Sequence, residues 1–123
     1  MIKVVLAVTL GGGFGSLLRF LLQRTITNEY GSSFPTGTML VNLVGCFAIG
    51  IFWGISEKTN LFTEEWRLFL LTGLCGGFTT FSAYSQESIT LLREGRLNFF
   101  FIYAGSTLIL GFILTWLGYS LTK

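Results

Sequence analysis

Four stretches of this chain carry no charge: residues 4–18, 36–56, 68–86 and 97–119. A helix rises about 1.5 Å per residue, so roughly 20 apolar residues cross a hydrocarbon core about 30 Å thick. Beyond Arg19 the first stretch continues apolar to Leu22, which brings it to that length. The spans are read at about residues 3–24, 36–56, 66–92 and 97–121, forming one domain over 1–123. Only 11% of the residues are charged and 51% are hydrophobic, too little charge to cover a soluble domain of this size. The expected fold is an all-α membrane protein with four transmembrane helices. Lys3 followed by VVLAVTL has the form of a signal peptide, but the apolar run is too long and Arg19 and Arg24 follow it, so it is read as a span.

The cations are almost evenly divided between the two sides. Lys3, Lys58, Arg67 and Lys123 fall on one, and Arg24, Arg93 and Arg96 on the other, with Arg19 close to it. Orientation follows the Lys and Arg excess in short loops, and here there is almost none. The expectation is insertion both ways round and an antiparallel homodimer, closed by a twofold axis in the membrane plane. Gly11–Gly15, Gly50–Gly54 and Gly73–Gly77 are spaced by four, which lets helix backbones approach in lipid.

The chemistry-bearing residues lie within the spans. GGGFGSLLRF (residues 11–20) lacks the Gly-Lys-Ser/Thr ending of a phosphate loop and follows no soluble strand, so its glycines are read as packing. Arg19 either snorkels to the interface or draws anions into a vestibule. In GTMLVNLVG (residues 37–45), Asn42 lies about a turn and a half inside the membrane. Its amide needs partners there: another helix, or a permeating anion. Thr38 lies one turn earlier on the same face. Cys46 and Cys75 have no CxxC spacing, and the chain has no histidine. They read as small buried residues rather than zinc ligands.

GGFTTFSAY (residues 76–84) makes a poor uninterrupted helix, with two β-branched threonines behind two glycines. A break at mid-membrane is expected. Its freed carbonyls must be buried, line a cavity or coordinate an ion, and as hard ligands they suit an alkali or alkaline-earth cation. Phe78, Phe81 and Tyr84 recur every three residues, on roughly one face. Their electropositive ring edges can meet an anion. Glu87, beside Gln86, is an intramembrane carboxylate and so a functional candidate. In span four, Tyr103 and Thr107 share a face, with Ser106 beside them and Thr115 eight residues beyond Thr107. Such hydroxyls form a polar track or bond back to their own helix.

Taken together, GGGFGSLLRF, GTMLVNLVG, GGFTTFSAY and Gln86–Glu87 resemble, in order and position, the signatures of the Fluc/CrcB family of fluoride channels over essentially the whole chain. The resemblance implies an antiparallel, dual-topology homodimer with two pores in the plasma membrane, the bacterial inner membrane, passing fluoride outward without catalysis. It implies a structural sodium ion held by the backbone carbonyls of Gly76 and Thr79 of both subunits. Asn42 matches the family's pore asparagine and Phe81 the first of its two pore phenylalanines. Tyr84 stands where the second is usual, a departure that adds a hydroxyl. Tyr103 and Thr107 match the polar track, whose next position, Gly111, has no hydroxyl. Thr80, Ser82 and Arg19 match further signature positions. The implied partners are fluoride, a second copy and membrane lipid, with no nucleic acid. Two other readings remain: a small proton-coupled multidrug exporter, whose carboxylate would have to be Glu87, and a non-transporting assembly factor held by its glycine surfaces.

Overall fold

The computed structural model describes residues 1–30 and 34–122, the side chains of 27–30 aside. Its elements are α1 (Ile2–Tyr30), α2 (Thr36–Lys58), α3 (Glu64–Arg67), a π-helical segment (Leu68–Cys75), α4 (Gly76–Phe78), α5 (Phe81–Arg93) and α6 (Leu97–Ser120). Four spans, Ile2–Ile26, Thr36–Lys58, Glu64–Arg93 and Leu97–Ser120, are long and apolar enough to cross a membrane. The polar stretch Thr25 to Ser33 does not end α1 where expected, because a helix satisfies its own backbone whatever its side chains. The Thr25 hydroxyl bonds back to Leu21 O at 2.9 Å. Residues 31–33 of that stretch, and Lys123 of the charge balance, lie outside the described residues.

Local signals set the other ends. Pro35 precedes the first residue of α2, and its carbonyl accepts from Met39 N at 3.2 Å. Thr63 caps α3 by accepting from Trp66 N at 3.2 Å, and Glu64 and Glu65 favour the positive end of that helix. At the end of α5, Arg96 N bonds Leu91 O at 2.9 Å and Gly95 N bonds Leu92 O at 3.1 Å. This paired closure places Gly95 at φ 73, a left-handed conformation that a glycine takes without a Cβ clash.

Two seams hold the helices together. α1 packs on the π segment and α4, and α2 packs on α6. A Cβ on Gly15 would stand 2.2 Å from Leu74 O, and one on Gly118 would stand 2.5 Å from Phe47 O, so both seams are backbone against backbone. Tyr84, Leu91 and Tyr103 form a small core between α5 and α6, with Phe34, Met39, Phe100 and Ala104 packed around it. Elsewhere the large apolar side chains point outward, among them Phe14, Leu21, Phe101, Ile109, Phe112 and Trp116. Such a surface calls for lipid or a partner.

Candidate functional site

A cavity of about 320 Å³ opens where three spans meet. α2 supplies Asn42, Gly45, Cys46 and Ile49, and α6 supplies Thr107, Leu108, Gly111 and Phe112. The third span supplies Cys75, Gly76, Thr79, Thr80, Phe81 and Tyr84. Its helix stops at Phe78 and resumes at Phe81, with Thr79 (φ −89, ψ 159) and Thr80 (φ −149, ψ 111) extended between.

The side chains around these two residues explain how the interruption is stabilised. In a continuous helix the N–H of Thr80 would bond the carbonyl of Gly76, and the N–H of Ala83 that of Thr79. Instead Thr80 N donates to Asn42 Oδ1 at 2.8 Å, and Ala83 N to the hydroxyl of Thr80 at 3.1 Å. Asn42 Nδ2 in turn donates to Thr80 O at 3.1 Å. The carbonyls of Gly76 and Thr79 thus lose their usual helical donors. Of the two carbonyls between them in sequence, that of Gly77 accepts from Arg19 Nε at 3.1 Å. Arg19 is half-buried on α1 and holds the end of α4. This bond gives Arg19 a partner inside the protein, a carbonyl near a helix end, beyond the two roles read from its place near the end of a span.

The aromatic residues divide. Phe81 is 75% exposed and Tyr84 is 8% exposed, with ring centroids 5.7 Å apart. The Tyr84 hydroxyl donates to Ala104 O on α6 at 2.7 Å, which ties the phenol to that helix. Phe78 is not among the residues lining the cavity with them: the extended pair interrupts the three-residue recurrence, and Phe78 packs by Gly45, where a Cβ would stand 3.3 Å from its Cδ2. The Ser82 hydroxyl lies 3.4 Å from that of Thr80.

A second polar group joins four helices. Gln23 Nε2 on α1 donates to the Thr38 hydroxyl at 3.0 Å, and that hydroxyl donates to Glu87 Oε1 at 2.6 Å. The Tyr103 hydroxyl reaches Glu87 Oε2 at 3.5 Å. Thr38 therefore serves Glu87 and not Asn42. Gln23 was missed in the sequence; the available signal was its place one turn beyond Arg19. Along α6, Ser106 bonds back to Ile102 O, and Thr115 crosses to Cys46 O at 3.1 Å. Among the described residues, the buried Thr107 hydroxyl has no hydrogen-bond partner. Gly111 follows it on the cavity wall, where a Cβ would stand 3.3 Å from Cys46 Sγ.

Comparison with known proteins accords with this arrangement. The family model described as "CrcB-like protein, Camphor Resistance (CrcB)" matches residues 6–119. A protein of Aquifex aeolicus named "Fluoride-specific ion channel FluC" is 50% identical over 96% of this chain and 95% of its own length. One of the same name from Flavobacterium psychrophilum is 41% identical over 98% of each. A third, from Azobacteroides pseudotrichonymphae, is 42% identical over 100% of this chain and 98% of its own. With nearly its whole length matched, and the interrupted third span among the residues covered, this chain belongs to the CrcB family.

Proposed function

We propose that the protein is a fluoride-selective channel, multi-pass in the plasma membrane, that lets fluoride leave passively and so relieves its toxicity. One observation carries the reading. A side-chain-capped helix break, three aromatic rings and a hydroxyl unpartnered among the described residues line one cavity, in a chain similar end to end to proteins named fluoride-specific channels. The working unit is an antiparallel, dual-topology homodimer in lipid, with the break at mid-membrane in each copy. The near-even split of cations supports that arrangement, as do the exposed Phe81 and Phe112 beside the cavity.

Fluoride holds its water tightly, so a lane for it must offer donors in its place. Asn42 spends one amide N–H on Thr80 O and keeps a second. Thr107 offers its hydroxyl, and Thr80 and Ser82 offer theirs at the start of α5. The ring edges of Phe81 and Tyr84 are positive, which suits an anion and repels a cation. Thr38 and Tyr103 give their hydroxyl hydrogens to Glu87, so they bear on the lane by positioning that carboxylate beyond the rings. Arg19 acts indirectly, by holding Gly77 and hence the end of α4. A negative cell interior drives an anion outward by about 2.3 kcal/mol per charge per 100 mV.

The carbonyls of Gly76 and Thr79, deprived of their helical donors, fit a hard cation better than any soft one. A sodium ion held there by both copies supplies fixed positive charge against those dipoles. The test is fluoride efflux from liposomes holding the purified protein. Efflux that persists without a proton gradient is expected. Drug-dependent proton flux in its place would favour an exporter, and silence in both assays an assembly role.

A further inference from the structure

We infer that the C-terminal ends of α2 and α6 together hold the headgroup of a phosphoethanolamine lipid, its ammonium on Glu57 and its phosphate on Lys58. Both side chains are exposed, and both are fixed by one residue of α6. The Tyr119 hydroxyl donates to Glu57 Oε1 at 2.6 Å. Lys58 Nζ stands 3.9 Å from the centroid of the same phenol ring, and donates to Tyr119 O at 2.8 Å and to the Thr122 hydroxyl at 3.4 Å. Two opposite charges are thus set around one ring, yet among the described residues they form no ion pair with each other. Glu57 Oε2 accepts no hydrogen bond among those residues, and Lys58 has spent two of its three ammonium hydrogens.

The place is where a headgroup lies. Both helices reach the end of an apolar span here, at Lys58 and Ser120. Trp53 and Trp116 flank Tyr119, with ring centroids 4.3 and 6.2 Å from its own. Both indoles are exposed, and such rings settle at the depth where headgroups meet acyl chains. Aromatic rings alone would accept any lipid; the fixed charges choose among them. A primary ammonium donates charge-assisted hydrogen bonds to a carboxylate, whereas a quaternary one has no N–H to give. A glycerol headgroup brings a phosphate for Lys58 and nothing cationic for Glu57. Only a zwitterion with a primary ammonium meets both.

The test places the purified full-length protein in phosphatidylcholine vesicles, with Trp66→Phe so that emission comes from Trp53 and Trp116 alone. A minor share of lipid brominated in its acyl chains is added, bearing an ethanolamine, a choline or a glycerol headgroup. Quenching should be strongest with ethanolamine, reporting a local enrichment of about tenfold, the worth of one charge-assisted hydrogen bond at the low end of its range. Glu57→Gln, and Tyr119→Phe, which keeps the ring and frees the carboxylate, should each lower the ethanolamine signal to that of choline. Equal quenching by the three headgroups, strongest quenching by glycerol, or variants that keep the ethanolamine preference would overturn the proposal. Should a substituted chain misfold, the same headgroup comparison on the native protein decides alone.

Discussion

The side-chain amide of Asn42 meets both backbone groups of Thr80, accepting from its N–H at 2.8 Å and donating to its carbonyl at 3.1 Å. One side chain on α2 thereby does for an extended residue what the next helical turn would otherwise do. Asn42→Leu leaves two half-buried backbone groups unpaired, at a cost of about 1–3 kcal/mol each. The expected outcome is a lower melting temperature together with loss of fluoride efflux. Asn42→Asp, which can accept but not donate, should recover part of the stability and none of the efflux.

Tyr84 lends itself to a cleaner separation. Tyr84→Phe removes only the bond to Ala104 O and keeps the ring. Stability should fall by about 1 kcal/mol while efflux stays near the native rate. Phe81→Ile removes a ring that is 75% exposed, so stability should barely change while efflux is lost. Thermal melts and liposome efflux on the same preparations check both.

Thr107 should show the opposite trade. Its buried hydroxyl has no partner among the described residues, so Thr107→Val removes a desolvated polar group without changing shape. An unsatisfied buried group costs about 1–3 kcal/mol, so the variant should melt higher and conduct less. A variant that gains stability at unchanged flux would take Thr107 out of the pathway.

Gly95 is the control, far in character from the cavity. At φ 73 an added Cβ is strained although nothing stands within 4 Å of it. Gly95→Ala should cost about 1–2 kcal/mol, the left-handed penalty, and leave efflux unaltered.

Much of this arrangement was legible in the sequence, because charge and backbone chemistry mark it. The charge-free stretches located the spans, and two threonines behind two glycines marked Thr79–Thr80. What could not be read depended on partners distant in the chain. Arg19 finds Gly77 across 58 positions, and nothing near Arg19 names that carbonyl. Gln23 near a span end looks like any interfacial polar residue until Thr38 is seen opposite it. The recurrence of Phe78, Phe81 and Tyr84 assumed an unbroken helix in the very segment expected to break. The π winding of Leu68–Cys75 follows no propensity signal in LFLLTGLC, and we have no physical account of it.

The glycine seam between α1 and the third span bears on how the molecule can move. Where Gly11 and Gly15 meet Phe69 O and Leu74 O, no rotamer can rearrange to admit sliding. α1, the π segment and α4 therefore shift as one rigid block. The extended pair Thr79–Thr80 lies just beyond that block, and is where the helical hydrogen bonding of the third span is interrupted.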